Sequence, residues 1–334
     1  MNKNQKILVT GANGFIGSHI LKYLSDKKEY EVTGLVRKTS DLFRLGGKKY
    51  RLLYASLDEP MEGITRGMDI VVHTAAISNI VGCYKDIYRA NVDGTLKLIK
   101  ASVKNGVRRF VHFSSTVVYG FNGNVDTTED KAKNPFNNNY CKTKTLTEER
   151  LEDFKDLIEL IILRPSCVFG PMDTKYTYLL LKNLENGLPG FIKGGKSLTS
   201  PCYVDNLVSA AHRAVITEKG LGEAFNITDG NDIPWKTFLG MAAGSINSRP
   251  PRIPVPPGPI FVLAKFLKIF HDILKTKNPP VISPYTIAMA AKNFSFSIEK
   301  AKKLLNYQPV CTTAEGIKKS AVWYLEHKTA VGTK

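Results

Sequence analysis

An α/β fold, a doubly wound parallel sheet with a smaller C-terminal α+β lobe, is predicted by three features of this 334-residue chain. Apolar strand-like runs alternate with helix-spaced segments as far as about Leu163. A glycine-rich turn, Gly11-Ala-Asn-Gly14-Phe-Ile-Gly17, follows the first of those runs. Beyond Pro171 the alternation loosens, which sets off the second lobe.

The first run, Lys6-Ile-Leu-Val-Thr10, is short and lacks a polar face, as suits a parallel strand buried on both sides. After the turn, Ile16, Ile20, Leu21 and Leu24 recur at helical spacing, so the order is strand, glycine turn, helix. Glycine lets the backbone turn tightly and approach a pyrophosphate, whose charge is stabilised by the N–H groups and dipole of the helix N-terminus. This Rossmann-type arrangement predicts cofactor contacts from Gly11, Asn13, Gly14, Phe15, Ile16 and Gly17. The spacing is GxxGxxG, where the standard fingerprint is GxGxxG, and a plain tight turn has the same composition. Residues further along the chain decide between them.

The strand Tyr30–Val36 ends where a dinucleotide fold places an acid on the adenosine ribose. Arg37 stands there, followed by Lys38, Thr39 and Ser40. Cations and hydroxyls suit a 2′-phosphate, so NADP(H) is favoured and NAD(H) is the alternative. An ordinary solvated basic loop is the plainer reading of the same residues.

Phe110-Val-His-Phe113 reads as a buried strand emptying into Ser114-Ser115-Thr116, the kind of carboxyl end at which open α/β sheets bind ligands. Tyr140 and Lys144 are four apart in a Gly- and Pro-free segment, Tyr140 to Leu151, that reads as a helix, so they share a face. A phenol with a pKa near ~10 is a poor acid–base catalyst at neutral pH, and an adjacent ammonium lowers that value. Tyr140 would then exchange a proton with a carbonyl or hydroxyl oxygen that Ser115 also binds, while a nicotinamide carries the hydride.

With these three residues in order after TGxxGxxG, the chain resembles an extended short-chain dehydrogenase/reductase, of the NAD-dependent epimerase/dehydratase type. The resemblance runs along nearly the whole chain. Val71-Val-His-Thr-Ala-Ala76 is similar to the family's fourth strand and implies cofactor contacts from Ala75 and Ala76. Asn91-Val-Asp-Gly-Thr95 resembles its NVxGT helix, and Ser114 to Gly120 the loop whose catalytic hydroxyl registers on Ser115. Leu163 to Pro171 resembles the LRPxxVYGP segment beside the nicotinamide, implying Pro165 and Val168. Ser200-Pro-Cys-Tyr203-Val-Asp-Asn-Leu resembles the substrate-side YVDN stretch, implying Tyr203. Where relatives have an adenine-binding Asp after the third strand, this chain has Ser56, with Leu57 beside it and Asp58 two residues beyond Ser56. Thr143 replaces a frequent Ser before the lysine and Cys141 follows the tyrosine.

The resemblance and the pattern together place the dinucleotide-binding domain at 1–170, its sheet completed by later segments around 200–228, and a mainly substrate-binding lobe at 171–334. A helix near Tyr176 to Glu185, a Gly-Leu-Pro-Gly turn at 187–190, a strand Glu223 to Thr228 returning to the smaller lobe, and a helix begun by Trp235 and Phe238 are expected there. Five scattered cysteines without CxxC suit a reducing compartment, and six histidines without ligand spacing predict no metal. The N-terminus runs into its first strand at once, so no signal peptide and a cytoplasmic location are expected.

The net charge of +17 is dispersed, with no nucleic-acid-binding motif, so nucleic acid is not an expected partner. The stretch 259–277 is apolar but carries Lys265, Lys268, Lys275 and Lys277. A spanning helix needs about 20 uninterrupted apolar residues. Two readings stay open: an interfacial helix making peripheral membrane contact, and a helix packed over the substrate pocket. Trp235, Phe238, Phe261, Phe266, Phe270 and Tyr285 suggest an apolar pocket. Within the superfamily, Phe294 to Pro309 is similar to the 3β-hydroxysteroid dehydrogenase and β-keto lipid reductase branch, implying a sterol-like or β-keto acid substrate. The rival is a nucleotide-sugar 4-epimerase with tightly held NAD. Dehydratases use an Asp-Glu pair where this chain has Thr116 and Val117, which are expected to face substrate with Ser115. A catalytically silent redox-sensing module is a third reading, opposed by the intact Ser115, Tyr140 and Lys144. The resemblance also implies a homodimer through two helices, one of them carrying Tyr140 and Lys144.

Overall fold

The computed structural model describes residues 4–78, 82–187, 190–274 and 282–332. Seven strands, β1 (Gln5–Thr10), β2 (Tyr30–Val36), β3 (Arg51–Tyr54), β4 (Ile70–His73), β5 (Arg109–Phe113), β6 (Glu159–Pro165) and β7 (Glu223–Ile227), form one sheet in the order β7-β6-β5-β4-β1-β2-β3. Every neighbouring pair is parallel. The chain runs outward from β1 to β3, then returns to the other side of β1 as β4, and this reversal opens a crevice at the carboxyl ends of the strands.

The longer helices are α1 (Phe15–Ser25), α2 (Gly94–Lys104), α3 (Asn139–Leu151), α4 (Thr177–Glu185), α5 (Val204–Ile216), α6 (Trp235–Ser245), α7 (Pro257–Leu274), α8 (Pro284–Ala291) and α9 (Thr313–Gly332). Alternation along β1 assigns the two layers. Ile7 and Val9 join Ile20, Leu21 and Leu24 of α1 and Leu207 and Ala211 of α5. Leu8 faces the other way, with Leu98 and Ile99 of α2 and Leu151 of α3. Both faces are covered at the centre of the sheet, which is why β4 and β5 are buried throughout, while the edge strand β3 keeps Arg51 and Tyr54 exposed.

A second apolar core lies between α4, α6 and α9, built from Leu181, Leu184, Phe238, Leu239, Ile317 and Tyr324 among others. Beside it, Ile233–Pro234, Leu198–Thr199, Phe294–Phe296 and Asn124–Thr127 make a four-stranded sheet in that order. Strand pairing therefore crosses residue 170 in both directions. Asn124–Thr127 enters the small sheet, and the expected strand at 223–228 lies in the large sheet as β7 against β6, not in the smaller lobe. Its Phe225 and Ile227 are buried in the α1/α5 layer, so its apolar side is spent on the large core.

The other expected elements fall within a residue or two of their positions, with α3 starting at Asn139 and α4 at Thr177. Of the basic helix at 259–277, α7 covers 257–274; Lys275, Lys277 and the side chain of Lys268 lie outside the described residues. Residues 1–3, and 188 and 189 of the expected turn, also lie outside them. Among the described residues no helix is long and apolar enough to cross a membrane.

A buried ion pair joins α3 to β6. Arg164 of β6 gives Nε to Glu148 Oε1 at 3.0 Å and Nη2 to Oε2 at 2.7 Å, both side chains being inaccessible or nearly so. Burial pushes the Glu148 carboxyl up, but the bonds and charge of Arg164, with Lys133 at 3.1 Å, bring it below the usual carboxylate range. Because the folded value lies below the unfolded one, the stability it contributes is complete above the unfolded value and is lost as pH falls through the folded one. Glu148→Ala, which leaves Arg164 buried and unpaired, is expected to lower unfolding free energy by about 3–5 kcal/mol. Urea denaturation at pH 7 checks this, and a loss within experimental error would show that the pair is not a structural anchor.

Candidate active site

The glycine turn after β1 is closed to any side chain at two points. Gly11 has φ +65°, and a Cβ there would lie 2.8 Å from Ala75 Cα. A Cβ on Gly17 would lie 2.2 Å from the Gly11 carbonyl oxygen, so α1 starts against the turn with only hydrogen between them. Gly14 is the N-cap of α1; no side chain caps the helix, and its first turn holds no acid. An uncapped N-terminus beside a glycine cradle suits a pyrophosphate, so the residues present fit a dinucleotide.

Around this cradle, Asn13 Nδ2 donates to the Asp41 carbonyl at 3.3 Å, Phe15 meets His19 edge-on, and Ile16 packs on the α1/α5 core. Arg37 and Lys38 are exposed at the end of β2, on a turn in which Arg37 N–H donates to Ser40 Oγ at 3.1 Å. Ser56 is engaged locally: its N–H donates to Glu59 Oε1 at 3.0 Å and its Oγ to Asp58 Oδ2 at 3.3 Å. Leu57 packs on Gly94, where a Cβ would approach its own to 2.9 Å. Ala75 touches Gly11, while Ala76 is exposed beyond it.

The three predicted catalytic side chains come together at the carboxyl end of β5. Asn138 caps α3, its Oδ1 accepting the Tyr140 N–H at 2.9 Å, and this fixes where the helix starts. One turn on, Lys144 Nζ donates to the Phe113 carbonyl at 2.6 Å. Ser115 follows that carbonyl by two residues, and its hydroxyl lies close enough to the Tyr140 phenol to favour the ionised form. The Ser115 hydroxyl also lies 3.4 Å from the Pro165 carbonyl, and Val168 borders both cores just beyond.

The electrostatics differ from the sequence expectation. Burial pushes the Tyr140 phenol well above its ordinary value, Cys141 adds to the rise, and the Ser115 hydroxyl only partly opposes it. The expected acidification by Lys144 is therefore overturned: the ammonium is directed at the Phe113 carbonyl, and the cost of a phenolate in a dry pocket dominates. Lys144 itself is brought down to about 8 by burial, with Glu148 opposing. Beneath it lie two buried imidazoles. His73, between Thr10 Oγ1 at 2.7 Å and Thr95 Oγ1 at 2.9 Å, is pushed down to about 3 by burial and by Lys144. His112 is likewise held well below its usual range.

Two supporting residues were not read from the sequence as such. Asn91 sits in a π-helical turn, Arg89–Asp93, immediately before α2. Its Oδ1 accepts the Ile77 N–H at 2.7 Å, and its Nδ2 donates to the Ile77 carbonyl at 3.1 Å and to Thr143 Oγ1 at 3.2 Å. It thereby holds the loop after β4 against α3. Glu148 is the other, four residues beyond Lys144 on the same helix face; a carboxylate continuing the Tyr-Lys stripe was the available signal.

Some expected pocket residues are elsewhere. Tyr203 is 1% exposed, its ring against Phe169 and so close to α9 that a Cβ on Gly316 would reach 2.5 Å from it; it is core, not substrate wall. Thr116 is fully buried, and Val117 belongs to the apolar cluster that also holds Val118 and Cys141. Trp235 and Phe238 fill the α4/α6/α9 core, whereas Phe266 and Phe270 of α7 are 66% and 61% exposed. Of the expected aromatics, Tyr285 of α8 reaches the Tyr140 cluster, together with Phe121, Phe136, Cys167 and Met289.

The model of the NAD dependent epimerase/dehydratase family matches residues 7–228. The chain is 27% identical over 339 residues to the sterol-4-alpha-carboxylate 3-dehydrogenase, decarboxylating, of Mus musculus, covering 96% of this chain and 91% of that protein. It is also 27% identical over 341 residues to the UDP-glucose 4-epimerase of Vibrio cholerae, covering 96% of each. The crystal structure of a UDP-glucose 4-epimerase with UDP-glucose from Thermotoga maritima superposes with a TM-score of 0.76 at 25% identity, over 97% of this chain and all of that one. With its strand order, glycine cradle and hydroxyl pair, this chain belongs to the NAD dependent epimerase/dehydratase family.

Proposed function

We propose that the protein is an NADP(H)-dependent dehydrogenase or ketoreductase that moves hydride to or from a secondary alcohol or ketone on a lipophilic substrate, sterol-like or a β-keto lipid acid. The observation that carries this reading is a neutral phenol, Tyr140, beside the Ser115 hydroxyl and walled by Phe121, Phe136, Tyr285 and Met289. A bound nicotinamide would supply or accept the hydride. Ser115 and Tyr140 would both bind the substrate oxygen, Tyr140 giving it a proton during reduction, which a phenol kept protonated by burial is prepared to do. Lys144 would hold positive charge beneath the phenol. The residues from 171 onward, joined by Asn124–Thr127, would form most of the substrate lobe.

The apolar wall supports a lipophilic substrate over a nucleotide sugar, whose diphosphate needs cations. The similarity to a sterol dehydrogenase points the same way, and the epimerase similarity keeps UDP-sugars as the rival. In an assay of NADPH oxidation with steroid ketones, β-keto acids and UDP-glucose, the first two classes are expected to turn over. Tyr140→Phe should reduce kcat by a factor of about 10²–10⁴ while sparing cofactor affinity. The rate should fall as pH rises through about 8, since the Lys144 ammonium is lost there. Epimerisation of UDP-glucose with cofactor retained through purification, and no ketone reduction, would sink the proposal in favour of its rival.

For cofactor choice, Arg37 and Lys38 lie exposed where β2 ends, with no ion pair to another described residue. Replacing both by Ala is expected to raise the KM for NADPH at least tenfold and leave that for NADH nearly unchanged. Wild-type enzyme that uses NADH equally well would remove this preference.

Peripheral membrane contact is the third part of the proposal. Val262, Leu263, Phe266, Leu267, Ile269 and Phe270 present apolar surface along α7, beside the exposed cations Arg252 and Lys265. An apolar face flanked by cations matches an anionic bilayer surface. The protein should sediment with phosphatidylglycerol vesicles at low salt, and Phe266→Ser with Phe270→Ser should release it; equal sedimentation of the double variant would rule out α7 as the contact. A homodimer rests on the family resemblance. The exposed side of α3 carries Lys142, Glu149 and Arg150, so pairing there would be polar.

A further inference from the structure

One hydroxyl near the pocket stands apart from the catalytic pair. Tyr176, immediately before α4, has a fully buried Oη with no hydrogen bond among the described residues. Its position is rigidly set from the backbone. The Asp173 carboxylate accepts the N–H groups of Lys175 at 3.1 Å, Tyr176 at 3.2 Å and Thr177 at 2.8 Å, and the Thr177 hydroxyl at 2.9 Å. That carboxylate is saturated, and the tyrosine ring is delivered inward by a turn that cannot easily rearrange.

The pocket side of this ring can be traced through its neighbours. Met289 of α8 packs both on the core that contains Tyr176 and on the cluster that contains Tyr140 and Tyr285. Cys167 Sγ lies 3.9 Å from Met289 Sδ, and Cys167 also acts on Tyr176 and on Tyr285. The hydroxyl thus shares its surroundings of thiol, thioether and phenol with the Ser115/Tyr140 pair, and Tyr140 and Tyr176 both act on Tyr285. Burying a hydroxyl without a partner is unfavourable, and such groups in native structures are commonly completed by a ligand or ordered water.

The charges around it restrict what that ligand is. The groups acting on Tyr176 are Cys167 and Asp173, and both disfavour its ionisation, as does burial, so it is a neutral donor. No cation acts on it. Arg44 acts on Asp173 but not on the hydroxyl, so a carboxylate or phosphate would find no counter-charge there, whereas a ketone, ester or ether oxygen would complete the donor.

We propose that Tyr176 forms a second polar subsite, donating a hydrogen bond to an uncharged oxygen on a part of the substrate away from the carbon that reacts at Tyr140. This rests on the lipophilic ketone or alcohol reading and adds to it: the substrate is an apolar frame with two separated oxygens, of which the remote one is neutral.

Calorimetric titration with two matched series tests the subsite without requiring turnover. The first is 5α-androstan-3-one against 5α-androstane-3,17-dione; the second is 2-decanone against methyl 9-oxodecanoate and 9-oxodecanoic acid. In at least one series the second neutral oxygen should tighten Kd about tenfold, the worth of one uncharged hydrogen bond. Tyr176→Phe should abolish that gain and leave the mono-ketone affinity unchanged, an outcome that a merely structural tyrosine would not give. The proposal is overturned if neither series shows the gain, if Tyr176→Phe weakens both members alike or leaves the gain intact, or if the free acid binds more tightly than its methyl ester. A Tyr176-dependent gain without Tyr140-dependent reduction of any of these ketones would instead reject the ketoreductase reading and keep the subsite.

Discussion

The bidentate pair between Glu148 and Arg164 is the constraint on which the site's geometry depends. Tyr140, Lys144 and Glu148 occupy one stripe of α3 at four-residue intervals, so anchoring the last fixes the rotation of the other two. Arg164 extends the anchor: its Nη1 donates to Tyr119 Oη at 2.7 Å, whose hydroxyl donates to Asn226 Oδ1 at 2.9 Å in β7. The turn that carries Ser115 is therefore tied to the same guanidinium as the helix that carries Tyr140. Buried ion pairs are expensive to desolvate, and an apolar substitute of equal shape can be as stable. What an apolar substitute would not supply is direction, since two N–H groups meeting two carboxylate oxygens allow one orientation of α3 against β6.

Dryness does the rest. The charges that approach the Ser115 and Tyr140 hydroxyls are few, and each is held by a partner: Lys144 by the Phe113 carbonyl, Glu148 by Arg164. In such surroundings a phenol stays protonated and imidazoles stay neutral, as with Tyr140, His73 and His112. The net charge of +17 is consequently a property of the outer surface and says little about the chemistry within. An ammonium brought down to about 8 is at the edge of its charged range near neutral pH, so small changes in the pocket's hydration alter its charge.

Sequence reasoning reached what is local. The glycine turn, the strand-end serine and the tyrosine and lysine one helical turn apart each carry their geometry within a few residues, and the structure brings them together as their spacing implied. It did not reach what depends on distant packing. The sign of the Tyr140 shift is set by burial that segments as remote as α8 supply, and no pattern around residue 140 contains that information. Aromatic residues were equally ambiguous. Trp235 and Phe238 look in the sequence like Tyr285, yet the first two fill a helix core and the third reaches the pocket, a distinction made by which face of α6 and α8 meets the rest of the fold. Tyr203 was assigned to substrate by its motif, but the absence of a side chain at Gly316 lets α9 close over it.

The position of α8 connects the surface to the chemistry. Its Tyr285, Ala288 and Met289 belong to the Tyr140 cluster, and along its length it packs against α7, whose outward apolar residues have no cover among the described residues. On the proposed membrane contact, a bilayer under α7 would therefore be one helix layer from the Tyr140 phenol. On that reading α8, which packs on α7 and on the Tyr140 cluster, would be what stands between the bilayer and the phenol. On the proposed membrane contact, affinity for an apolar frame would draw on the membrane phase as well as on the pocket. The few polar atoms inside would then be left to decide which oxygenated frame is held, and at which carbon.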